Sequence, residues 1–131
     1  MFDEDLHMYA EETDFFWRTN INGKEVWFSP KAEIYHIGSF SVDSRKVNLN
    51  KEYWITRNHI IILLKNYSFS RLLRRLPAKI LLEMISAVRF PQIKFAPFVK
   101  SMISIPALYV IKIHKKRRKI QNNRTVKDIE V

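Results

Sequence analysis

The hydrophobic pattern changes character near residue 50. From Asn50 onward the apolar positions recur at helical spacing. Residues 51–66 hold Tyr53, Trp54, Ile60, Ile61, Leu63 and Leu64. Residues 69–89 place Leu72, Leu73, Leu76, Ile80, Leu81, Met84, Ile85 and Val88 three or four apart, with Arg71, Arg74, Arg75 and Lys79 between them. Pro77 falls inside that pattern and is expected to kink or split the helix. Pro91 and Pro97 punctuate the next stretch, and the apolar residues 98–113 are interrupted by Lys100, Pro106 and Lys112. The longest apolar run, Met102 to Ile111, is ten residues. A spanning helix needs ~20, so none is expected. Five consecutive bases, Lys115 to Lys119, precede a last dozen residues that read as a disordered tail.

The first 50 residues carry shorter signals. Residues 11–22, EETDFFWRTNIN, predict a short helix in which Asp14 and Arg18, four apart, can pair. Gly23 supplies its stop. Val26-Trp27-Phe28 is a β-prone run ended by Ser29-Pro30. Ala32 to His36 is a second such run, with Ala32, Ile34 and His36 on one face. Residues 37–50 are polar and predict a mobile loop. The expected fold class is therefore α+β. A small mixed unit at 1–50 precedes a basic, amphipathic, mostly helical region at 51–119 and a disordered tail at 120–131.

Composition adds three constraints. An apolar fraction of 47% over 131 residues supports one modest packed domain. The absence of cysteine excludes disulfides and thiolate metal sites. The acidic start, Met1-Phe2-Asp3-Glu4-Asp5, lacks the pattern of a signal peptide. The net charge of +10 is unevenly spread: residues 1–50 hold nine acids and five bases, and residues 51–131 hold four acids and eighteen bases. The acidic half suits a metal or a hydroxyl-bearing substrate, and the basic half an anionic surface. Arginines interleaved among leucines fit an interfacial membrane helix, or a helical subdomain that packs its apolar faces on protein. Nucleic acid is disfavoured, because no recognition motif accompanies the basic run.

Short motifs in the first 66 residues follow a recognisable order. Phe2-Asp3-Glu4 leads to Tyr9, to Glu11-Glu12-Thr13-Asp14 and to Trp17-Arg18. Gly23, Phe28-x-Pro30-x-Ala32 and His36 follow, and then Tyr53 and Arg57-Asn58. This resembles the end of the catalytic domain of family 2, GT-A type, glycosyltransferases, notably the rhamnosyltransferase-like group. Residues 67–131 resemble the basic helical tails of that group only in character.

The resemblance implies a C-terminal fragment of a GT-A domain at 1–50. It implies that an acidic residue at the helix start is the general base, taking the acceptor proton as the hydroxyl attacks the anomeric carbon. Glu12 occupies the position of the family's aspartate, with Glu11 and Asp14 as further candidates. The helix dipole alone also favours acids there, and for Asp14 the structural pair with Arg18 is the preferred reading. His36 is the implied ligand of a divalent metal, Mn or Mg, against the simpler reading of a half-buried histidine. Arg57 could clamp a diphosphate or be a solvated helix charge. The family also needs a donor-binding region with an Asp-x-Asp motif for the nucleotide sugar. Asp3-Glu4-Asp5 lies too close to the acidic helix to be that motif. A truncated or split enzyme, inactive alone and completed by a second chain, is therefore expected. The expected setting is polysaccharide biosynthesis at the cytoplasmic, inner face of a membrane. The alternative is a non-enzymatic membrane-peripheral or partner-binding protein derived from such an enzyme.

Overall fold

A computed structural model describes residues 1–35 and 49–128. Five α-helices account for most of them: α1 (Glu11–Ile21), α2 (Leu49–Asn66), α3 (Phe69–Arg89), α4 (Pro91–Leu108) and α5 (His114–Asn122). A 3-10 turn at Glu4–Leu6 precedes α1, and a widened π turn at Tyr109–Ile113 joins α4 to α5.

The α+β expectation is overturned: the described residues contain no strand. Val26-Trp27-Phe28 and the described part of the second run are irregular, and Trp27 is 84% exposed. β-prone residues make a strand only when a neighbour accepts and supplies ladder hydrogen bonds, and among the described residues neither run has one. No GT-A sheet fragment is therefore formed by these residues.

Helix α2 is central. Ile60, Ile61 and Ile62 are consecutive and all buried, so the helix is covered around its circumference. Leu6, Ile105 and Ile113 complete that core, with Trp17, Leu64, Leu76, Ile80 and Met102 packed against it. Contacts fix the directions. Thr56 meets Glu83 and Leu64 lies near Leu76, so α3 runs antiparallel to α2. Glu52 pairs with Lys94, Tyr53 meets Ser104, and Leu64 meets Arg117, so the α4–α5 rod runs alongside α2 in the same sense.

The prolines do not break the helices as the sequence suggested. Pro77 lies inside a continuous α3, on its exposed side, where water can reach the carbonyl left without a donor. Pro91 takes the first position of α4, where its missing N–H costs nothing. Pro97 and Pro106 lie within α4, and the π turn begins three residues after Pro106. One helix therefore runs over Pro91–Asn122, 32 residues, long and apolar enough to cross a membrane by length and composition. Counting uninterrupted apolar residues missed it, because the apolar part of the helix passes through Lys100, Pro106 and Lys112.

The chain after α5 is tied down as far as residue 128. Thr125 and Val126 donate backbone N–H groups to the Ile21 carbonyl at the end of α1. Asp128 accepts from the Ser68 N–H at the start of α3 and pairs with Arg124.

Candidate functional site

The N-terminal segment is held against α2 by two adjacent side chains. The Asn58 amide is fully buried and reaches three carbonyls, those of Leu6 (2.7 Å), Met8 (2.8 Å) and Tyr9 (2.9 Å). With two hydrogens for three acceptors, it must share them. The segment it grips is strained: His7, Tyr9 and Ala10 all have positive φ without being glycine. Such backbone persists only where its surroundings over-determine it, and Asn58 supplies that restraint. Arg57 is 5% exposed, not a solvated helix charge. Both its terminal nitrogens donate to the Asp5 carbonyl at 3.1 Å, one of them also to Asn58 at 2.6 Å, and its guanidinium lies over Trp54. Burial lowers its pKa, while Tyr53 and the acids Asp5 and Asp3 oppose that shift. Its terminal nitrogens are thus engaged, and its Nε, without a hydrogen-bond partner among the described residues, is buried from solvent and closed to a diphosphate.

Beside this clamp runs a line of alternating charges. Arg18 donates to Asp14 at 2.8 Å, the pair expected from their spacing. The other Asp14 oxygen receives Lys65 at 2.8 Å and Asn66 at 3.1 Å. Lys65 also meets Asp3 at 2.5 Å. Asp3 bonds Lys116, Lys116 meets Asp5 at 2.5 Å, and Asp5 meets Lys112 at 2.9 Å. Asp14 and Lys65 are 0% and 1% exposed. Burial would raise the Asp3 carboxyl, but hydrogen bonds from Lys116 and Lys65 overcome it and hold the group well below the usual carboxylate range. Asp5 is lowered in the same way by Lys116 and Lys112, and Lys116 is raised by its two acids against the effect of its own burial.

The acidic and basic halves are thus partly each other's partners. The five-base run is divided: Lys116 is drawn into the charge line, and Arg117 donates to the Leu64 and Tyr67 carbonyls at 2.5 and 2.8 Å. Gln121 adds bonds to the Lys65 and Asn66 carbonyls. Together they satisfy the otherwise open C-terminal end of α2, where positive charge also meets the helix dipole favourably. Lys115, Arg118 and Lys119 remain on the surface, around a shallow basic hollow closed by Asn122 and Asn123.

The sequence-predicted site residues are separated by this arrangement. Asp14 is buried in ion pairs on one side of α1. Glu12, two positions earlier and so on roughly the opposite side, is exposed. Glu11 is half-buried, and its Oε2 has no hydrogen-bond partner. His36 lies outside the described residues, so the expected Glu12–His36 crevice does too. A cavity of about 360 Å³ opens next to the charge line, with Phe2, Asp3, Glu4, Arg18, Lys116 and Lys119 in its wall.

A divalent metal does not fit the carboxylates that converge here. Asp3 and Asp14 each spend both oxygens on cationic or N–H donors, and among the described residues no three His, Asp or Glu side chains group as ligands. Lys65 and Asn66 are central to the site and were not singled out from sequence, and Asn58 entered only as part of the Arg57-Asn58 motif, without a role. A signal was present: Asn58, Ile62 and Lys65 fall at i, i+4 and i+7, which places two polar groups on an apolar helix face. No family model, curated protein or solved structure matches the chain.

Proposed function

We propose that the chain is the acceptor side of a glycosyl-transfer enzyme, with donor binding supplied from outside this sequence. One observation carries the reading. Motifs far apart in sequence, Phe2-Asp3-Glu4, Glu11 to Asp14, Trp17-Arg18 and Arg57-Asn58, belong to a single packed unit. That unit fixes the first turn of α1 and leaves Glu12 facing solvent. In the proposed step, the Glu12 carboxylate accepts the proton of the acceptor hydroxyl. The hydroxyl oxygen forms the new bond to the anomeric carbon, and the nucleoside diphosphate leaves with the electron pair of the broken bond. The family's position carries aspartate, so the longer glutamate must settle about an ångström further out to do the same work, and the half-buried Glu11 is the alternative base. Asp14 and Arg57 serve this site by positioning.

A backbone NMR titration of the full chain tests the reading. Acceptor-type oligosaccharides should shift resonances of residues 11–18, and Glu12→Gln should change that response without unfolding α1. UDP- and dTDP-sugars with Mg²⁺ should leave the spectrum unchanged. Micromolar nucleotide-sugar binding would refute the division of labour, and silence towards every glycan would refute the acceptor role. The second reading, a non-enzymatic peripheral or partner-binding protein, is favoured by the commitment of Asp3 and Asp14 to ion pairs.

A further inference from the structure

Helices α3 and α4 leave much of their apolar surface uncovered. On α3, Leu72, Leu76, Ile80 and Ala87 turn inward, but Leu73, Leu81, Met84 and Val88 form a second apolar stripe. At 100° per residue these four lie within an arc of about 80°, and Leu73 and Val88 are 61% and 71% exposed. On α4, Phe95, Val99, Ile103 and Val110 form a matching stripe, with Ile103 74% exposed. The two stripes are adjacent. Between the helices lies an apolar groove of about 250 Å³ walled by Leu76 and Ile80 from one side and Met102, Pro106 and Tyr109 from the other. Each wall sits next to its helix's exposed stripe, on the side away from α2. The result is one continuous apolar face.

Charge selects what covers it. Arg74 borders the α3 stripe and Arg71 lies just beyond it, whereas Arg75 turns to the far side of the helix; none forms an ion pair among the described residues. Residues 69–119 contain thirteen Lys and Arg and a single acid, Glu83, which is already paired with Lys79 at 2.7 Å. A second copy would set one strongly basic surface against another. A lipid leaflet with anionic headgroups satisfies both the apolar face and the cationic border. We propose that the α3–α4 face docks on an anionic bilayer surface, with the helices lying in the interface and Arg71 and Arg74 at headgroup level.

The 32-residue helix is long enough to cross instead, but its inner side is committed. Ser101, Ile105 and Ile113 are buried in the protein core, Lys94 is paired with Glu52, and Lys112 and Lys116 with Asp5. Crossing would strip these partners away, whereas lying flat keeps them. The inference does not depend on the glycosyl-transfer reading.

The test is co-sedimentation of the full chain with vesicles of phosphatidylcholine alone or with one third phosphatidylglycerol. Binding should require the anionic lipid and weaken in part with salt. Arg71→Gln/Arg74→Gln should weaken it by roughly 25-fold, each arginine contributing about a factor of five, and Arg75→Gln should weaken it less. Leu73→Gln/Val88→Gln should weaken it in a way salt does not mimic. These variants leave the buried core unchanged, and circular dichroism checks that they fold. Equal binding to neutral and anionic vesicles, a chain that dimerises and ignores vesicles, or a chain retained after alkaline carbonate washing would each overturn the proposal.

Discussion

Replacing Lys65 by methionine removes the centre of the charge line and little volume. Lys65 is 1% exposed and bridges Asp3 at 2.5 Å and Asp14 at 2.8 Å. Without it both carboxylates stay buried and lose one cation each, though Asp14 keeps Arg18 and Asp3 keeps Lys116. Removing one partner from a buried ion pair costs about 3–5 kcal/mol, a large share of the ~5–15 kcal/mol that holds a domain together. Urea unfolding at pH 7 should show that loss with an unchanged slope. The sign of the pH dependence separates charge from packing. In the native chain the Asp3 carboxyl is held well below its ordinary 3.8. Its contribution is therefore fully present above about pH 5 and is lost as pH falls through 3.8 and below. In Lys65→Met that carboxyl is less favoured as an anion, so less remains to be lost. The gap between variant and native chain should narrow as pH falls from 7 towards 3. A cost under about 1 kcal/mol at pH 7, or a gap that ignores pH, would refute the electrostatic account.

Further outcomes follow from other contacts. Asn58→Ala should cost about 2–4 kcal/mol, two shared donors lost from three carbonyls of which that of Leu6 is buried, and should raise amide exchange across residues 4–10. Gly23→Ala should cost about 1–2 kcal/mol by thermal unfolding, because φ is +68° and the new Cβ would meet the Thr125 hydroxyl at 2.9 Å. His59 is lowered below 6.5 by burial and then by Lys79, so it should add acid sensitivity below that pH, and His59→Gln should reduce the stability lost between neutral pH and pH 5. Deleting residues 123–131 should destabilise the ends of α1 and α2, seen as faster exchange near Ile21 and Asn66.

The helices after residue 50 were legible in the sequence because amphipathic spacing is a local property that tertiary contacts reinforce. The α1 helix, its glycine stop and the Asp14–Arg18 pair were legible for the same reason. The two β-prone runs were not decided locally: a strand needs a partner, and the sequence of Val26 to Phe28 cannot show that none is beside it. The prolines misled because the rule for a lone helix does not see the neighbours and solvent that absorb a missing hydrogen bond. The charge asymmetry was plain in the composition, but its meaning lay in three dimensions. Lys65, Lys112 and Lys116 are 51 to 113 residues from the acids they neutralise, so no window of sequence joins them. Sequence alone determined which residues could form helices and how many charges the chain carries. Only the tertiary structure decided which charges are spent inside and which apolar stripes stay outside, because both depend on which helix faces meet.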